Sequence, residues 1–210
     1  MDEIPVLRGV THFWAVWFAA AGALVLVLFA ASATARVAAT IYGLGLIALF
    51  AGSATYHRWR WDPRWRPLLR RVDHSTIFVF IAASFTPVGI LVLDGALATI
   101  VLVVVWAGAL LGVFFSLVWI DAPRWLQAAL YVGLGWVGVA ATPQMLDRLG
   151  TAPVVLFGVG GVLYTVGAVV YALRRPDPWP LTFGFHEIFH AFVIGAAVCH
   201  FVAMAGWVVL

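Results

Sequence analysis

Residues 95–120 read GALATIVLVVVWAGALLGVFFSLVWI, from Gly95 to Ile120 without a charged side chain. About 20 apolar residues carry a helix across the hydrocarbon core of a bilayer, so this stretch is long enough to span one. Uncharged runs of similar length recur on both sides of it. They predict an all-α integral membrane protein, a single domain over 1–210 built as a seven-transmembrane helix bundle. The expected spans are about 13–35, 37–57, 74–93, 95–120, 125–146, 149–173 and 181–208. The chain is 64% hydrophobic and 10% charged, against about 25% charged in ordinary soluble domains, which excludes a soluble globular protein. Seven spans leave little chain for any extramembrane domain, so the function is expected inside the membrane or at its edge.

The first span could be misread as a signal peptide, because Ala31-Ser32-Ala33 has the small-x-small form of a cleavage site. Asp2 and Glu3 stand before it against only Arg8, and the apolar run exceeds a typical signal core, so retention as a helix is expected. With seven spans, ten arginines fall on one side of the membrane: Arg8, Arg58, Arg60, Arg64, Arg66, Arg70, Arg71, Arg124, Arg174 and Arg175. Only Arg36 and Arg148 fall on the other, which places the N-terminus in the cytosol of a plasma membrane and the C-terminus outside. The loop from Arg58 to Val72 mixes six arginines with Trp59, Trp61 and Trp65. It reads as an interfacial anchor on anionic lipid, with no nucleic acid as partner. Cys199 has no second cysteine to pair with. The glycines at 133, 135 and 138, and at 158, 160, 161 and 167, are read as close helix contacts. Pro87 and Pro143 are expected to kink or end their helices.

Ionisable groups inside spans are costly and so mark candidate sites. His57 closes the second span, Asp73 opens the third, and His186 and His190 sit in the first turns of the seventh. Four metal-capable side chains from three helices thus fall at one depth. Residues four apart share a helix face, which pairs Ser53 with His57 and His186 with His190. Three neutral imidazoles with a carboxylate alongside suit Zn²⁺ with one position left open for water. His12 at the same edge is read as an interfacial residue in preference to one that supports the metal ligands from behind, His74 as pointing away from Asp73, and His200 as belonging to a layer about 15 Å deeper. His186-Glu187-Ile188-Phe189-His190 also matches H-E-x-x-H, in which Glu187 would be the general base. That reading requires a third ligand downstream, and after His190 there is only His200 and no carboxylate.

Taken together, these residues make the chain resemble the hemolysin III family, the bacterial branch of the progestin and adipoQ receptor superfamily, almost end to end. The marks are Ser53-Ala-Thr-Tyr-His57, Arg71-Val-Asp73-His74-Ser75 and Phe183-Gly-Phe-His186-Glu-Ile-Phe-His190, with Gly161-Val-Leu-Tyr164-Thr-Val-Gly167 and Arg174-Arg175-Pro176 in support. The resemblance implies seven helices, a cytosolic N-terminus and zinc near the cytosolic leaflet. By it His57, His186 and His190 would be the ligands, and Asp73 and Ser53 would contact or position the water on the metal. At the N-terminus the chain departs from the family's E-x2-N-x3-H. Thr11-His12 stands, but Pro5 and Arg8 occupy the acidic and amide positions.

The leading expectation is a zinc-dependent membrane hydrolase of a lipid amide or ester, ceramidase-like, with Asp73 as proton acceptor and Ser53 as hydrogen-bond donor. Its partners would be membrane lipids, as substrate or ligand. The alternative is a non-enzymatic receptor-like or membrane-homeostasis protein that zinc holds together. A pore is the third reading, disfavoured because spans four to six carry few polar faces.

Overall fold

The structure is a computed structural model that describes residues 5–210; Asp2 and Glu3, used above to weigh the leader reading, lie outside them. Among the described residues seven helical stretches are long and apolar enough to cross a membrane, and the protein is a multi-pass membrane protein. The helices are α1 (Val10–Phe29), α2 (Ala33–Arg58), α3 (Arg66–Leu91), α4 (Gly95–Val118), α5 (Arg124–Gly135), α6 (Thr142–Leu149), α7 (Thr151–Leu173) and α8 (Phe185–Ala203). The fifth span is α5 and α6 joined by a 3₁₀ stretch, Trp136–Ala141, and the last span ends in a π-helical stretch, Met204–Val209.

Short turns make successive helices neighbours, and α1 with α2, α2 with α3, α3 with α4 and α7 with α8 pack most extensively. Two contacts mark the opposite ends of the bundle. Arg70 binds Asp121 at one end, across the start of α3 and the α4–α5 turn, while Arg148 pairs with Asp94 at the other. Small residues set the spacing of the tightest pairs. A Cβ on Gly45 would lie 2.6 Å from that of Ala83, and one on Gly112 would lie 2.2 Å from the Phe78 ring. Outward-facing Phe18, Leu110, Leu111 and Phe114 are each at least 65% exposed, as expected of side chains solvated by lipid rather than water.

The third helix starts at Arg66, eight residues before the predicted span, because the arginine-bearing turns continue the helix past the apolar run. Pro67 stands in its first turn, where a missing N–H costs nothing. Pro87 does not end α3, which runs on to Leu91. In the fifth span the predicted kink falls one turn earlier than Pro143. Proline cannot donate to the carbonyl four residues back, here Val139. That carbonyl accepts instead from the Thr142 N–H, a 3₁₀ bond. Pro143 itself sits comfortably in the first turn of α6.

The expectation that the glycines of the fifth and sixth spans are close contacts is met at some positions and fails at others. Gly138, Gly160 and Gly167 abut Phe85, His200 and Phe192 respectively. At Gly133, Gly135, Gly158 and Gly161 an added Cβ would meet nothing within 4 Å. Three of those four, Gly135, Gly158 and Gly161, line a cavity of about 1060 Å³ that runs from the arginine-rich end into the middle of the bundle.

Candidate metal centre

His57 sits in the last turn of α2, while His186 and His190 occupy the first two turns of α8 on one face. The fold brings the three imidazoles together. Their ring centroids stand 4.5 Å (His57 to His186), 5.3 Å (His57 to His190) and 4.5 Å (His186 to His190) apart. One ring nitrogen from each lies within 4.8 Å of the others, so the three could hold a metal ion. The Nε2 atoms of His57 and His186 face each other at 3.1 Å. Asp73, two turns into α3 and 7% exposed, places Oδ2 3.4 Å from His57 Nε2. His190 Nδ1 is buried without a hydrogen-bond partner among the described residues.

Ser53 lies one turn before His57, as its spacing predicted, and is 4% exposed. Its hydroxyl meets His12 Nδ1 at 2.8 Å. His12 is therefore not the interfacial residue expected from the sequence. It is 2% exposed, stacks on His190 with centroids 3.8 Å apart and planes 10° from parallel, and meets Phe50 edge-on. The depth rule that selected the other histidines also applied to His12. Without knowing that α1 packs against α8, the sequence could not supply the missing neighbour.

Glu187 is equally specific in position and is turned away from the imidazole cluster. It is fully buried, accepts from the Gly184 N–H at 2.9 Å and forms an ion pair with Arg8. Both oxygens are thus engaged in closing the start of α8, which removes the H-E-x-x-H base reading. Backbone bonds from Val6 N to Leu181 O, 3.0 Å, and from Leu7 N to Thr182 O, 3.3 Å, run the N-terminal segment alongside the turn before α8. Gly9 then turns the chain into α1 at φ +73°, with its Cα so close to α2 that a Cβ would sit 3.0 Å from His57 Cβ. Residues 5–12 therefore press on the centre from one side.

His74 is not in the cluster, as expected; the Tyr131 hydroxyl donates to its carbonyl. His200 lies in its own layer, with Nε2 3.2 Å from the Phe157 carbonyl. The cavity is lined at one end by Arg8, Arg124, Tyr171 and the imidazoles, and along its length by Phe85, Val88, Phe157 and Val193. The arrangement offers a nitrogen-rich metal site with a carboxylate beside it, facing a space with apolar walls.

The seven helices make the chain a heptahelical membrane protein, and comparison with known sequences gives its family. Residues 3–201 match the family described as Haemolysin-III related, and the chain belongs to that family. It is 30% identical to the hemolysin-3 homolog of Bacillus subtilis over 199 residues, 93% of this chain and 90% of that protein. It is 30% identical to hemolysin-3 of Bacillus cereus over 172 residues, 81% of this chain and 74% of the relative. Similarity extends to the human monocyte to macrophage differentiation factor, 27% identical over 176 residues, 80% of this chain and 69% of that one.

Proposed function

We propose that this protein is a zinc-dependent hydrolase of an amide or ester bond in a membrane lipid, acting near the cytosolic leaflet of a plasma membrane. The observation that carries the reading is a set of three imidazoles and one carboxylate, all buried but the half-buried His57, facing a cavity of about 1060 Å³ with mainly apolar walls. Pockets for drug-sized ligands run to about 1,000 Å³, so this space accommodates a long acyl chain. The cytosolic placement is supported by ten arginines at the end of the bundle where the site lies, against two at the other.

The donor set fits zinc. Two nitrogens bound at about 2.0–2.1 Å to one tetrahedral ion stand about 3.3 Å apart, close to the 3.1 Å between His57 and His186 Nε2. His57, His186 and His190 would hold the ion, and imidazole donors favour zinc over magnesium or calcium. When bound, zinc supplies Lewis acidity that polarises a carbonyl and brings the pKa of water to about 7.

The chain's own residues do the rest. Asp73, within reach of the His57 ring, accepts a proton from the attacking water and returns it to the leaving group. Ser53, oriented by His12, has a hydroxyl to donate to developing negative charge. The apolar walls align the lipid chain and exclude bulk water.

The test uses Asp73→Asn, which preserves shape and removes the base. The variant is expected to retain zinc and lose at least about 100-fold in hydrolysis of an amide or ester lipid that the wild type cleaves. Full hydrolysis with zinc retained contradicts the assignment of Asp73.

A second reading has an observation of its own: His57, Asp73 and the α8 histidines come from three different helices, so an ion there would tie α2, α3 and α8 together. In that receptor-like reading, His190→Ala lowers thermal stability and leaves lipid turnover unaltered.

A further inference from the structure

The cavity continues beyond the imidazoles to a second group of polar side chains, His200 and Tyr164, that the hydrolytic centre does not use. Ten residues separate His190 from His200 on one continuous helix, about 15 Å along its axis. Fourteen separate His186 from His200, which returns to within about 40° of the same face. The two histidine layers therefore open on one space. The deep layer is built into the packing: at Gly160 a Cβ would lie 2.3 Å from His200 Cδ2 and 2.5 Å from Nε2, so only glycine lets the ring lie there.

The bonding in this layer is incomplete. His200 Nε2 approaches the Phe157 carbonyl at 3.2 Å. A carbonyl only accepts, so Nε2 carries the hydrogen, and a neutral ring is left with Nδ1 as an acceptor. Tyr164 stands edge-on to His200, with centroids 5.4 Å apart. Its hydroxyl is buried without a partner among the described residues. An unpaired phenol in the middle of a membrane protein calls for a group to fill it. The group must be small, able to accept from Tyr164 and able to donate to His200. An alcohol does both.

We propose that His200 and Tyr164 form a subsite for a hydroxyl group carried partway along the hydrocarbon chain of the bound amphiphile. The proposal rests on the reading above in placing the ligand's head at the three imidazoles. With carbon–carbon bonds of about 1.5 Å, an extended chain advances about 1.25 Å per carbon, so 15 Å corresponds to about the twelfth carbon. The substrate class is thus a lipid with a mid-chain hydroxyl, discriminated from its plain-chain analogue.

The experiment is displacement of the fluorescent fatty acid cis-parinaric acid from zinc-loaded, full-length protein by stearic acid and by 12-hydroxystearic acid. The hydroxy acid is expected to compete roughly tenfold better, the effect of one or two added hydrogen bonds. In Tyr164→Phe, which removes only the hydroxyl, the preference is expected to fall to about threefold or less while stearic acid binds as in wild type. His200→Gln, which keeps an acceptor, is expected to retain part of the preference. Equal competition by the two acids, or a full preference surviving in Tyr164→Phe, overturns the subsite alone. Failure of both acids to displace the probe overturns the cavity-binding reading together with the subsite.

Discussion

Replacing Arg8 with methionine, which keeps the aliphatic stem and removes the charge, isolates the contribution of the Arg8–Glu187 pair. Glu187's side chain is 1% exposed and Arg8's is 23%. Breaking a buried pair from one side costs about 3–5 kcal/mol, because the remaining charge is stranded. Glu187 would keep its bond from Gly184, so the lower end applies, about 3 kcal/mol for Arg8→Met. Glu187→Gln leaves Arg8 with access to water and removes one charge-assisted bond, about 1.5–3 kcal/mol. The double variant strands no charge, and its cost is expected near 2 kcal/mol rather than the sum of the two, a coupling of about 2.5–4 kcal/mol. Denaturant unfolding in mixed micelles, followed by tryptophan fluorescence, measures all four proteins. Costs that add to within about 0.5 kcal/mol would refute the claim that this pair is what closes the start of α8.

Other outcomes follow from the same geometry. Gly160→Ala is expected to cost about 1–3 kcal/mol by driving a methyl into the His200 ring, whereas Gly158→Ala is expected to be neutral or slightly stabilising; equal thermal shifts would contradict the distinction. His12→Ala removes both the stack on His190 and the bond to Ser53, and is expected to weaken metal binding about 10- to 100-fold in chelator competition. Gly9→Ala forces a side chain into left-handed backbone against His57, and is expected to cost about 1–2 kcal/mol with a parallel fall in bound metal. Unchanged unfolding and metal content in that variant would show that the N-terminal segment does not support the centre.

The helices were legible because each crosses the bilayer with an apolar run of the required length, a signal that survives without any knowledge of neighbours. The same local character explains the misplaced features. Pro143 marked the fifth span as irregular but not the residues that unwind, since its effect falls on the Val139 carbonyl one turn earlier. Spacing of four picked out Ser53 with His57 and His186 with His190, and depth brought these helices to one level. Depth cannot say which rings touch. His12 was set aside because its partners, Ser53 and His190, lie 41 and 178 positions away in sequence. H-E-x-x-H is local and offers Glu187 as a base, a reading that the missing downstream ligand already disfavours; what Glu187 does instead depends on Arg8, 179 positions away. The glycines of the fifth and sixth spans read as packing, yet Gly135, Gly158 and Gly161 border the cavity; a missing side chain looks the same in sequence whether a helix or a ligand takes the space.

Metal content by elemental mass spectrometry tests the central claim most directly, on protein purified in detergent without chelator beside His57→Ala, His186→Ala and His190→Ala. The account predicts about one zinc per chain in the wild type and loss of it in each folded variant. A wild type without stoichiometric metal, or variants that keep theirs, would contradict it.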